Sequence, residues 1–216
     1  VEDAVLDSTG VLNLPEVPES LIIVGAGAIG LELGDFFGMM GSKITIVEAA
    51  PHIAPTEDAD IAKEMDRVQS KAGRTCITGV MAKSLVTKDG QAELTLGDGR
   101  VLTASKALVA VGRTPNTAGL DCEKAGCTLK RRGFVDVNDH LEAAEGVYAI
   151  GDVVGGYQLA HEAYAEGEAA LADMLGEDKP YGTQPVPVCT YTIPCFASVG
   201  LTTESAKDAG YEPVMG

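Results

Sequence analysis

The sequence predicts an α/β fold in which a mostly parallel sheet is wound with helices and carries an inserted antiparallel meander. Three observations lead there. Apolar runs without alternation, at residues 21–24 and 106–111, suit strands covered on both faces. A glycine turn, Gly25-Ala26-Gly27-Ala28-Ile29-Gly30, joins the first run to a helical stretch, and residues 74–103 alternate between hairpin turns.

Taken in order, residues 1–19 contain no complete element; they read as a strand end and a proline-marked linker, so the domain is expected to begin near Ser20. Residues 20–48 then give strand, glycine turn, helix to about Gly41, and a second strand at 43–47 that ends on Glu48. Each glycine has a separate use: Gly25 permits the tight turn, Gly27 lets a pyrophosphate approach the backbone, and Gly30 lets helix and strand pack closely. Phosphates would sit on amides at the helix start, where the macrodipole favours negative charge. Because the motif follows a strand, opens a helix and precedes a strand-end acid, Gly25, Gly27, Ile29, Gly30 and Glu48 are predicted to bind a dinucleotide. A carboxylate at Glu48 can accept from adenosine ribose hydroxyls, whereas a 2′-phosphate would meet a like charge, with no Arg or Lys before Lys63 to receive it. NAD is therefore expected over NADP.

A loop at 49–60 leads to a helix at about 61–72, capped by Asp58 or Asp60, with Ile61, Met65 and Val68 on its buried face. His52 in that loop reads as an ordinary exposed histidine. Segments near 75–78, 82–87, 92–96 and 101–102, separated by Lys88-Asp89-Gly90 and Gly97-Asp98-Gly99, form the meander. The strand at 106–111 ends in Gly112 and Arg113, which a doubly wound sheet would turn toward the bound dinucleotide. Residues 117–140 connect, with one strand at 134–137. An apolar strand at 146–150 then ends in Gly151 and Asp152, and a helix at about 160–175 follows; Asp152 would project from the strand end toward that helix's N-terminus. Strands near 186–192 and 197–201 and a short helix at 203–209, closed by Gly210, complete the chain.

Composition excludes several classes of function. A net charge of −16 argues against nucleic-acid and anionic-membrane binding, which require basic patches. No apolar run is long enough to cross a bilayer, and residues 1–10 have no signal-peptide character, so a cytoplasmic protein is expected. The cysteines Cys76, Cys122, Cys127, Cys189 and Cys195 form an odd set with no C-x2-C pair, which fits reduced thiols and no metal site. Cys122 and Cys127 have a spacing used by some redox disulfides, but Glu123 supplies the wrong charge for thiolate chemistry.

The ordered motifs GAGAIGLE, strand-end Glu48, meander, AVGRTPN, EGVYAIGDV, LAHEAYAEG and YTIPCFASVGLT resemble the FAD-dependent pyridine-nucleotide disulfide oxidoreductases, and among them the dihydrolipoamide dehydrogenases. The resemblance covers essentially all 216 residues. It implies a Rossmann-like NAD-binding domain at 20–137, a central segment at 138–184 that contacts FAD, and the start of a dimerisation domain at 185–216, with 1–19 linking to an FAD-binding half. It implies that Glu32 lies near the nicotinamide, that Asp152 after Gly151 binds the flavin's ribityl chain, and that Ala160 and His161 meet its pyrimidine end. The implied activity is oxidation of dihydrolipoamide through a redox disulfide and FAD to NAD, in a homodimer. Its partner would be a lipoyl-bearing protein of a 2-oxoacid dehydrogenase or glycine cleavage system. The family's N-terminal glycine motif, its redox C-x4-C and its His-Glu base are not matched in these 216 residues, so no catalytic residue is assigned and the chain alone is expected to be inactive. A related NADPH-dependent disulfide or mercuric reductase, or a stand-alone NAD-binding module, are the alternatives.

Overall fold

The computed structural model describes residues 3–178, 180–181 and 185–214; expectations for 1–2, 179, 182–184 and 215–216 lie outside the described residues. Two compact units are present, one formed by residues up to Gly112 with those from Cys189 onward, the other by Arg113 to Val188. In the first unit the chain runs β1 (Val5–Leu6), α1 (Ser8–Leu12), β2 (Ser20–Val24), α2 (Ala28–Met39), β3 (Lys43–Val47), α3 (Ala59–Lys71), β4 (Thr75–Ile77), β5 (Ala82–Lys88), β6 (Gln91–Leu96), β7 (Val101–Ala104) and β8 (Lys106–Val109).

Strands β1, β8, β2, β3 and β4 form one sheet in that order, parallel throughout. At its centre, β2 buries Leu21, Ile22 and Ile23 to 2% exposure or less, because both faces of the sheet are covered. Helices cover one face: Ile23, Ile44 and Ile46 pack with Leu31 and Phe37 of α2 and Met65 of α3. The antiparallel meander β5-β6-β7 covers the other, where Ala92, Leu94 and Leu96 meet Ile22, Val24 and Val47. The alternation of β6 follows directly, since its second face is not fully buried.

Three expectations for this unit are corrected. Residues 1–19 do hold complete elements: Val5 and Leu6 pair with Ala107 and Leu108, and Asp7 caps α1 by accepting from the Gly10 amide at 2.7 Å. Two residues are too few to show a strand period. The segment at 75–78, expected in the meander, instead pairs parallel with β3, Thr75 against Thr45. Thr-Cys-Ile suits either ladder, and the α3 crossover decides. Finally, α3 buries Ala62, Met65 and Gln69, while Ile61 is 42% exposed. The Gln69 side chain turns inward because its Oε1 accepts from Arg74 Nη1 at 2.9 Å.

The second unit contains β9 (Glu142–Ala144), antiparallel to β10 (Val147–Tyr148), and α4 (Ala160–Met174), around a small core of Leu141, Ala169 and Ala170. The expected strand at 134–137 does not form; Val135 makes a single bridge to Leu129, and its amide donates to Val153 O at 2.9 Å. The strand expected at 146–150 shortens to Val147–Tyr148, after which Gly151–Val153 makes one 3-10 turn. Near the C-terminus, β11 (Pro187–Thr190) and β12 (Phe196–Val199) pair and α5 (Thr203–Asp208) follows, with Thr202 as its side-chain cap and Gly210 at φ 85° just beyond.

Candidate dinucleotide-binding site

In the first unit, Val24 ends β2 and Gly25 turns the chain at φ 106°, a left-handed value that disfavours any side chain. A β-carbon on Gly25 would also collide with the carbonyl oxygen of Ala110. The Gly25 amide donates to Val47 O at 2.8 Å, which ties the turn to the end of β3. Gly27 is the N-cap of α2 and has no side chain to satisfy the first-turn amides. Among the described residues, no atom outside the helix and the adjoining chain lies within 4 Å of where its β-carbon would be, so a ligand has open space above the backbone there. At Gly30 the opposite holds, since a β-carbon would strike Gly25 O. Thus Gly25, Gly27 and Gly30 stand where the sequence placed them, and Ile29 lies half-buried in the first turn of α2. Gly112, exposed at φ 129°, follows the end of β8, whose neighbour Ala110 donates to Val24 O at 2.8 Å.

Glu48 follows β3, as the fingerprint requires, but its carboxylate is occupied by the protein. Oε2 accepts from the Ala26 amide at 2.7 Å and Oε1 from the Ala50 amide at 2.8 Å. Glu32, one turn into α2, accepts from the Tyr191 amide at 2.8 Å. Asp35, one turn further, forms a buried ion pair with Arg74 at 2.5 Å and accepts from the Ile193 amide at 3.0 Å. Sequence reasoning missed Asp35; its signal was a second acid, one turn after Glu32, in the mostly apolar run LELGDFF. His52 keeps to its loop, Nδ1 lying 2.9 Å from Ile53 O. A cleft of about 410 Å³ opens at the other end of the sheet, between the starts of β2 and β3 and strand β7, away from the glycine turn.

The second unit brings together other candidates. Arg113 and Asp152 form an ion pair at 2.6 Å, about half exposed on both sides. Screening holds such a pair to about 0–1 kcal/mol. Gly151, at φ 73°, donates its amide to Glu166 Oε2 at 2.5 Å. Burial pushes the Glu166 carboxyl above its ordinary range against the lowering effect of that bond, and the nearby Glu162 and Asp152 charges add to the rise. Ala160 opens α4, and His161 is exposed with Nε2 2.7 Å from Pro187 O. Cys122 and Cys127 are free thiols, Cys127 is buried, and Lys124, the cation between them in the chain, is taken up by Asp121 at 2.7 Å.

A family model described as pyridine nucleotide-disulphide oxidoreductase matches residues 2–167. A dihydrolipoyl dehydrogenase from Thermus scotoductus is 40% identical over 98% of the chain and 47% of its own length. Leghemoglobin reductase from Glycine max is 38% identical over the whole chain and 42% of its own length. Among solved structures, the HOCl-induced flavoprotein disulfide reductase RclA from Escherichia coli superposes with a TM-score of 0.87 at 34% identity, over 97% of this chain and 48% of its own. LpdA from Mycobacterium tuberculosis gives a TM-score of 0.83 at 32% identity, over 95% and 45%. The chain spans less than half the length of each of these relatives.

Proposed function

The chain belongs to the pyridine nucleotide-disulphide oxidoreductase family, and from that premise we propose that it is the NAD-binding part of a dihydrolipoamide dehydrogenase. The observation that carries this is the turn between β2 and α2, where open space above Gly27 stands beside the uncapped start of a twelve-residue helix. Those amides and the helix dipole hold a pyrophosphate without any cationic side chain. Glu48 supplies lone pairs for the adenosine ribose, and Glu32 orients the nicotinamide. In this reading residues 20–137 bind NAD, 138–184 contact FAD through Gly151, Asp152, Ala160 and His161, and 185–216 begin the interface of a homodimer. When bound, the flavin supplies hydride exchange between a dithiol and the nicotinamide. What these residues contribute is holding: Arg113 fixes Asp152, and Glu166 fixes the Gly151 turn before it.

Dihydrolipoamide carried by a lipoyl protein of a 2-oxoacid dehydrogenase or glycine cleavage system is the substrate we assign to the whole enzyme, in a cytoplasmic setting. Produced by themselves, the 216 residues are expected to be colourless and without turnover, since neither a redox disulfide nor a His-Glu base is matched within them. Titration with NADH and NADPH tests the cofactor assignment. NADH should bind at least about tenfold more tightly, because a 2′-phosphate brought to Glu48 meets a like charge. Tighter binding of NADPH would overturn the assignment and favour a related NADPH-dependent reductase.

A further inference from the structure

We propose that Glu48 is a positioning residue that shapes the glycine turn, in addition to any contact it makes with ribose; this rests on the reading of that turn as the NAD site. Its two carboxylate oxygens divide between two loops, Oε2 on the Ala26 amide at 2.7 Å and Oε1 on the Ala50 amide at 2.8 Å. Ala26 is completely buried, and it is the residue between the two glycines. Its carbonyl is fixed too, accepting from the Ala54 amide at 3.0 Å. Both backbone polar groups of Ala26 are thereby fastened, one by Glu48 and one by the loop that Glu48 also anchors. On the far side, Gly79 donates to Ala50 O at 2.8 Å, and the Glu48 backbone bonds Ile77 O and the Val80 amide at 2.8 and 3.2 Å. The carboxylate therefore sits at a rigid junction rather than on a free side chain.

A carboxylate has about four acceptor positions, so two amides leave room for ribose hydroxyls. The two jobs separate by chemistry. A residue that only reads hydroxyls becomes irrelevant when the ligand lacks them; a residue that holds the turn does not. Replacing Glu48 by a cation to recruit a 2′-phosphate would also remove both amide acceptors, so charge reversal at this position alone will not convert the cofactor preference.

The test uses the full chain as wild type, Glu48→Ala and Glu48→Gln. Each is titrated with NADH and with an NADH analogue lacking the adenosine 2′- and 3′-hydroxyls, and amide hydrogen exchange is followed without ligand. Glu48→Ala should weaken both ligands by about tenfold or more, since a buried amide loses its acceptor, and should speed exchange at Ala26 and Ala50. Glu48→Gln keeps one carbonyl oxygen and should restore protection at one of the two amides, which also serves if the alanine variant fails to fold. The proposal is overturned if Glu48→Ala weakens only the hydroxylated ligand and leaves exchange at Ala26 and Ala50 unchanged. Failure of the wild type to bind NADH would instead count against the NAD reading, and the exchange result would still decide the role of Glu48.

Discussion

Gly27 and Gly30 share one turn, yet they should respond to the same substitution in opposite ways. Among the described residues, Gly27→Ala meets no atom within 4 Å beyond the helix and the adjoining chain, at an ordinary φ of −76°, so folding stability should change by less than about 1 kcal/mol while NADH affinity falls at least about tenfold, the methyl occupying the phosphate's approach. Gly30→Ala drives a methyl into Gly25 O and should cost roughly 1–3 kcal/mol of stability by overpacking. Denaturant melts set beside NADH titrations separate the two; equal destabilisation by both would sink the assignment of open space to ligand. Glu166 gives a pH prediction. Its carboxyl is raised from 4.5 by burial first and by neighbouring acids, so the folded state binds its proton more tightly than the unfolded state. Stability from this group is present at low pH and is lost as pH rises through the raised value. Glu166→Gln, which keeps an acceptor for the Gly151 amide, should therefore flatten the profile above pH 4.5 relative to wild type. A profile unchanged in shape would contradict the buried-charge account.

Among elements, α2 carries most of what is distinctive. Its C-terminal half is fastened by the Asp35–Arg74 pair, whose side chains are 3% and 7% exposed, and by the bond from Ile193 to Asp35. Removing one member leaves the other buried and uncompensated, which costs about 3–5 kcal/mol. Asp35→Ala should show that loss in a denaturant melt, with Asp35→Asn intermediate because it still accepts from Ile193; a loss below about 1 kcal/mol would mean that the pair is solvated. The sequence showed α2, β2 and β3 nearly to the residue, because apolar runs and glycines are strong local signals. It misplaced β4 and rotated the face of α3, because Thr75-Cys76-Ile77 carries no preference between ladders and because a glutamine became buried only through its bond to Arg74. The strand at 134–137 failed for a related reason: Val135 forms only an isolated bridge to Leu129, while its amide is taken by Val153 O, farther along the chain, so no ladder builds.

For the molecule as a whole, a net charge of −16 spread over 216 residues makes self-repulsion a global term. It is strongest when the Debye length is about 30 Å, at about 0.01 M salt. The melting temperature should rise by a few degrees between that and about 0.5 M sodium chloride. Scanning calorimetry across the salt series checks this; a falling melting temperature would show that ion pairs such as Arg67–Glu64 and Arg100–Asp98 outweigh repulsion.

That a glycine turn joins a strand to a helix, where it lies, and that an acid closes the following strand were all legible in the order of residues. These features are local: each needs a residue type at a fixed offset from a strand end. What that acid does first came from the packed molecule instead, because the Ala26 and Ala50 amides reach Glu48 from two loops whose meeting depends on the pairing of β2 with β3. The same holds for Arg113 with Asp152 and for Glu32 with Tyr191. Partnerships over such separations leave no periodic trace in a chain, since they are set by where the folded elements come to rest.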